Sequence, residues 1–319
     1  MKFTRDSIKI DSAMEAERIA NQLKNTIASF HKKGAIVGVS GGIDSSVVLA
    51  LCVKALGNKR VLAVMLPEKE SNPDSLRLGK ILTSKLSVPF IVEDITKMLD
   101  GFECYRRRDE AVKGIFPEYD KSYRMKITLL KDNEGKGMLN FFNLIIVSPD
   151  GKEKISRLPL DEYRQIVAAS DFKQRCRMSM LYYYAEMNHF SVIGTGNKNE
   201  HDLGFFVKFG DGAADIMPIA HLLKTQVNQL AEYLEIPEEI QRRVPTTDTY
   251  SAEQTQEEFF FREPFNLLDP IWFGWENGIS SKEISKVLEL DEYYVKNVID
   301  DIENKIKATE YLRENPIKF

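Results

Sequence analysis

Apolar positions recur every three to four residues across 12–33, at Ile19, Leu23, Ile27 and Phe30, and predict an amphipathic helix that Gly34 ends. The period then changes. AIVGV (35–39) is a short unbroken apolar run bounded by glycine, the pattern of a strand buried on both faces. It runs through SGGIDSS (40–46) into an apolar helix, SSVVLALCVKALG (45–57). The alternation repeats: a strand at 60–66, a helix at 73–86, and a strand at 89–95. Strands alternating with helices predict an α/β fold with a doubly wound parallel sheet.

Between about 105 and 165 this rhythm breaks. YRMKITLLK (123–131), MLNFFNLIIV (138–147) and KEKISRL (152–158) read as strands, separated by the turn sequences DNEGKG and SPDG. They predict a three-stranded antiparallel insertion, so the chain divides into a main domain of 1–104 and 166–319 and an insertion of 105–165. The α/β rhythm resumes with a helix at 169–189, a strand at 191–196 that ends in a glycine loop, and a helix at 222–234. Two further helices, 280–289 and 291–307, close the chain.

Composition narrows the class. The chain has 319 residues, 43% hydrophobic and 29% charged, as in ordinary soluble enzymes. With 44 Lys+Arg against 48 Asp+Glu the net charge is −4, which does not favour nucleic acid. Residues 280–310 mimic a helix-turn-helix, but their five lysines and eight acids give −3 and would repel DNA. The three cysteines, Cys52, Cys104 and Cys176, form neither a disulfide framework nor a zinc signature, which points to a reducing, cytoplasmic compartment. The N-terminus carries no apolar secretion segment, and no apolar run is long enough to span a membrane.

SGGIDSS carries the strongest chemistry. A loop that follows a buried strand and opens a helix presents unpaired N–H groups and the positive end of the helix dipole to an anion. Gly41 and Gly42 allow the backbone to approach a phosphate closely, and Ser40, Ser45 and Ser46 add hydroxyl donors. Asp44 would repel a bare phosphate, so it points to an intervening Mg2+. The Lys-Ser/Thr ending of the ordinary NTPase phosphate loop is missing.

This loop resembles the pyrophosphate-binding signature of the N-type ATP pyrophosphatases, a group that includes NAD, GMP, asparagine and argininosuccinate synthetases. Residues 192–227, VIGTGNKNEHDLGFFVKFGDGAADIMPIAHLLKTQV, resemble the NAD synthetase family within it. The resemblance implies a Rossmann-like ATP pyrophosphatase fold. It implies ATP contact by Thr195, Mg2+ binding by Glu200 beside Asp44, and contact with the nicotinate end of the substrate by Lys208 and Asp211. Lys224 matches a lysine on the ATP phosphates, KQRCRM (173–178) places Arg175 or Arg177 near the nucleotide, and VPTTD (244–248) makes Thr246 an ATP contact.

The implied reaction adenylates deamido-NAD with ATP. Ammonia then displaces AMP to give NAD, with pyrophosphate already released. Asp211 is positioned by type to accept the proton of the ammonium or to orient the amine. No cysteine stands in a glutaminase setting, so free ammonia or a separate subunit is the nitrogen source. The family also implies a homodimer.

Three features depart from the family. The 105–165 insertion is long, and reads as a lid, a partner surface or decoration. Gln256 replaces an acid after the TTD motif. In TEYLRENP (309–316), Tyr311 and Leu312 stand where the family's substrate-closing segment has His and Lys. The insertion and the altered C-terminus support a runner-up: a family relative acting on a different carboxylate in a specialised pathway. An ATP-binding protein without turnover is a third reading, opposed by the retained Asp44, Glu200, Lys208 and Asp211.

Overall fold

A computed structural model describes residues 3–129, 142–244 and 249–319. The first half alternates as the pattern predicts: α1 (Ser12–Ser29), β1 (Ala35–Gly38), α2 (Ile43–Leu56), β2 (Val61–Met65), α3 (Pro73–Leu86) and β3 (Phe90–Val92). Next come α4 (Thr96–Gly101), α5 (Cys104–Ile115), and the strands β4 (Arg124–Leu129), β5 (Phe142–Val147) and β6 (Glu153–Arg157). After them follow α6 (Leu160–Asn188), β7 (Ser191–Ile193), α7 (Lys198–Leu203), α8 (Lys224–Tyr233) and α9 (Glu238–Gln241). The chain closes with α10 (Phe265–Glu276), α11 (Ser281–Leu288), α12 (Glu292–Ala308) and α13 (Glu310–Arg313).

The parallel sheet runs β3-β2-β1-β7, with Ala35 beside both Val61 and Ser191. Alternate residues serve opposite faces. Ala35, Val37, Val61 and Ala63 pack with α1, α2 and α8, whereas Ile36, Val64 and Val192 pack toward α4, α5 and α6. Both faces are covered, which explains the unbroken apolar strands. Because β2 and β7 flank β1 on opposite sides, the sheet has a topological switch point at β1. A crevice opens there at the carboxyl ends of the strands, where α/β proteins bind ligands.

The antiparallel sheet β4-β5-β6 forms as expected, with SPDG turning β5 into β6 around Gly151 at φ +82°. The outer parts of the first two expected strands, and DNEGKG between them, lie outside the described residues. One face of the sheet, with Met125, Ile127, Leu144 and Ile146, packs on Ala111, Val112 and Ile166. β4 is also stitched to a later segment. Ala252 N donates to Met125 O (3.0 Å), Met125 N donates to Ser251 Oγ (2.9 Å), and Gln254 Nε2 donates to Ile127 O (2.8 Å).

Several elements differ from the sequence reading. α1 stops at Ser29. His31 takes the left-handed conformation at φ +54°, and Phe30 is 47% exposed. Gly34 is required for a different reason: a Cβ there would lie 2.3 Å from Arg60 O. α6 begins at Leu160, well before 169. Its apolar positions serve two cores in turn, Ile166 under the antiparallel sheet and Cys176 and Ala185 under the parallel one, so no single stripe marks its length. α5 lies where the antiparallel insertion was expected to begin. α10 was unread because Pro270 interrupts it, yet it supplies Ile271 and Trp272 to a C-terminal core with Ile284 and Val295.

Candidate active site

The crevice at the switch point is a cleft of about 860 Å³, within the range of small-molecule sites. Gly42 is the N-cap of α2, and Gly41 before it sits at φ +74°. An added Cβ at Gly41 would meet Ser75 O at 2.5 Å, so the turn admits only glycine. Ser45 Oγ donates to Gly42 O (3.0 Å), accepts from Ser40 N (3.3 Å) and lies 3.2 Å from Ser40 Oγ. Ser40, Gly42 and Ser45 line the cleft. Ser46 is fully buried, and its hydroxyl donates back to Gly42 O (2.7 Å), bracing the loop from behind.

The fold delivers the second motif to the same place, because β7 is the neighbour of β1. Thr195 lines the cleft just past β7. Asn197 caps α7 by accepting from Glu200 N (3.0 Å), while Glu200 Oε2 accepts from Asn197 N (3.2 Å). Asn197 Nδ2 also donates to Asp44 Oδ1 (3.0 Å), tying the two loops together. The Lys224 ammonium ion-pairs with Asp44 Oδ2 and is only 2% exposed. Burial works against the charge on Lys224, but Asp44 and Glu200 override it and raise its pKa. Burial, then the Asp44 charge, pushes the Glu200 carboxyl well above the usual carboxylate range.

Further along the cleft, Asp211 Oδ1 accepts from Val207 N (2.7 Å). Asp211 is exposed on the cleft wall, and the protein packed around it pushes its carboxyl up to about 6 by desolvation. Lys208 Nζ donates to the carbonyls of Tyr311 (2.7 Å) and Glu314 (2.9 Å), so it holds the C-terminal segment against the cleft. Arg175 pairs with Asp171 (3.7 Å), and Arg177 Nε donates to Leu66 O (3.2 Å); both line the cleft on α6. Thr246 lies outside the described residues.

Sequence reasoning missed the supporting residues. Buried Asp269 on α10 accepts from Asn199 Nδ2 (2.6 Å) and Thr225 N (2.8 Å), which fixes α7 against the start of α8. Asp215 Oδ2 accepts from Val192 N (2.9 Å) and pins the GDGAAD loop to β7. Gln256, the departure from the family's acid, donates to Glu200 Oε1 (3.2 Å), where an acid would add repulsion. Beside the cleft, buried Lys173 donates to Glu68 (3.0 Å) and Glu70 (2.7 Å), and Arg108 grips Glu70 through both terminal nitrogens. The tight acid-rich string PEKE (67–70) was the one available signal; its partners lie on α5 and α6, far away in sequence.

A parallel sheet with a glycine-serine loop, a half-buried carboxylate pair and a buried lysine at its switch point defines an α/β nucleotide-phosphate-binding protein. The sequence pattern of the NAD synthase family matches residues 15–131 and 150–316, and the chain belongs to that family. It is 48% identical over 98% of its length to the NH(3)-dependent NAD(+) synthetase of Rhizobium meliloti, covering 94% of that protein. It is 43% identical to the enzyme of the same name from Mesorhizobium japonicum, over 97% of each chain. Among solved structures, the NMN synthetase of Francisella tularensis has the same fold, with a TM-score of 0.67, 20% identity, and coverage of 97% of this chain and 99% of that one.

Proposed function

We propose that the chain is an ammonia-dependent NAD synthetase that converts deamido-NAD, ATP and ammonia to NAD, AMP and pyrophosphate. The observation that carries this is the convergence of the Ser40–Ser46 loop, Asp44, Glu200 and Lys224 on one cleft, in a chain 48% identical to a protein bearing that name.

The substrate carboxylate attacks the α-phosphorus of ATP, and pyrophosphate departs toward the N-terminus of α2. Backbone N–H groups and Lys224 stabilise its charge. Ammonia then attacks the acyl carbon and AMP leaves. The excess amine proton passes to Asp211, whose raised pKa suits an acceptor near neutrality. Much of the rate comes from holding acid and ATP in line.

The donor set fits Mg2+: Asp44 and Glu200 crowd each other, and Gln256 Oε1, beside Glu200, is buried with no partner among the described residues. Asp44 and Glu200 would hold the ion, with phosphate and water oxygens completing its shell, and bound Mg2+ supplies charge neutralisation to the triphosphate.

Lying almost wholly outside the cleft, the described part of the 105–165 insertion reads best as a brace. The strand-to-loop bonds at Met125 and Ile127 anchor it to residues 250–256, which lead to Gln256. A homodimer is favoured by exposed Tyr183 and Met187 on α6 and Phe90 and Val92 on the edge strand β3. A cytoplasmic setting agrees with three free cysteines, and no described helix is long and apolar enough to cross a membrane.

Incubation with deamido-NAD, ATP, MgCl2 and ammonium, followed by mass spectrometry, is expected to give NAD and AMP in equal amounts. A panel of other carboxylates tests the runner-up. Amidation of another acid with none of deamido-NAD would establish the relative and reject the synthetase.

A further inference from the structure

Arg243, which follows α9, lies against the glycine-serine loop. Its Nη1 donates to Gly41 O (3.3 Å) and its Nη2 to Ser75 Oγ (3.0 Å). The side chain lines the cleft and is half-buried. Among the described residues no carboxylate lies within ion-pair distance of it. The other cations of the cleft are differently committed. Lys224 is paired with Asp44, Arg175 with Asp171, and Lys208 with two carbonyls of the C-terminal segment. Arg177 acts electrostatically on the Asp211 carboxylate and sits on α6 against Leu66 O. Arg243 therefore brings onto the glycine-serine loop a guanidinium that has no carboxylate partner among the described residues.

A guanidinium carries five N–H donors in a rigid fork matched to phosphate oxygens. Two contacts anchor Arg243 and leave the rest of the fork for a ligand. The charge is partly withdrawn from water, which strengthens its attraction to an anion in the cleft. We infer that Arg243 is a diphosphate-binding residue, contacting the β- and γ-phosphates of ATP and the pyrophosphate they become. The inference rests on the reading of Ser40–Ser46 as the diphosphate grip. It adds a cation from a part of the chain outside both motifs. Because the pyrophosphate leaves bearing more charge than it had in ATP, the contact strengthens as the adenylate forms, and so aids that half-reaction.

The test is calorimetric titration of the full chain, in MgCl2, with inorganic pyrophosphate and separately with AMP. Wild type is expected to bind both. Arg243→Gln should weaken pyrophosphate about tenfold or more, as for loss of a charge-assisted hydrogen bond, and leave AMP within about twofold. Arg243→Lys should fall between, keeping the charge but losing the fork. Pyrophosphate affinity equal in wild type and Arg243→Gln overturns the inference. So does a parallel loss of both ligands, which marks Arg243 as a brace for the loop. Should Arg243→Gln not fold, Arg243→Lys decides, and wild-type affinity there overturns the inference. Wild type that binds AMP but no pyrophosphate overturns the loop reading itself, and Arg243 with it.

Discussion

Asp44 does three things with one carboxylate: it faces the cleft, accepts from Asn197, and neutralises buried Lys224. Asp44→Asn keeps the shape but leaves the ammonium of Lys224 without its counter-charge. Turnover, followed as pyrophosphate release, is expected to fall by about 100-fold or more. Asp211 acts later. Asp211→Asn should cut amide formation far more than adenylation, read as ATP–pyrophosphate exchange; equal losses in both would remove its role with the amine. Rates referred to free ammonia should decline in wild type as pH falls through about 6, where Asp211 gains its proton. That inflection should vanish in the variant.

Among the elements, α6 shows how a helix serves two purposes. Its cleft side presents Arg175 and Arg177, while buried Lys173 fastens it to the loop after β2. That loop contributes Ser71 and Asn72 to the cleft, so the ionic cluster sets one wall of the site. Lys173→Met leaves buried Glu68 without its cation and Glu70 with Arg108 alone, and is expected to cost about 3–5 kcal/mol in urea unfolding, as for breaking a buried ion pair. The same cluster predicts acid sensitivity. Burial alone would raise the Glu70 carboxyl, but Arg108 and Lys173 hold it at about 2, against an ordinary 4.5. A depressed pKa contributes stability above the ordinary value and loses it as pH drops toward 2. The stability gap between wild type and Glu70→Gln should therefore be widest near pH 6, narrow steadily below about pH 4.5, and close only as pH falls below about 2.

For the molecule as a whole, the chain's end is part of the cleft. Lys208 holds the carbonyls of Tyr311 and Glu314, and Arg313 donates to Asp202 O (2.7 Å) at the end of the helix that carries Glu200. Thr309 packs so closely on Gly204 that a Cβ there would lie 2.3 Å away. Removing residues after Ala308 spares the core formed by Val295, Val298 and Ile302, so the truncated chain is expected to fold. It loses the wall formed by Tyr311 and Leu312, and its KM for the dinucleotide should rise about tenfold with a smaller change for ATP. Equal KM values for wild type and truncation would leave the segment without a part in substrate binding.

Local chemistry determined what could be read directly. The β-α-β opening, the parallel sheet, the SPDG turn and the glycine turn between β1 and α2 all follow from periodicity and glycine placement over a few residues. So does the link from Asn197 to Glu200, three positions apart. Only the tertiary structure decided which distant residues meet. Asp269 holds Asn199 from 70 residues away, Arg243 reaches Gly41 from 202 away, and Gln256 meets Glu200 from 56 away. These contacts arise because β7 pairs with β1 and because the antiparallel sheet anchors residues 250–256. A polar side chain carries no local signal of the partner that will satisfy it. Its hydrogen bond is specified by burial, and burial is a property of the assembled core.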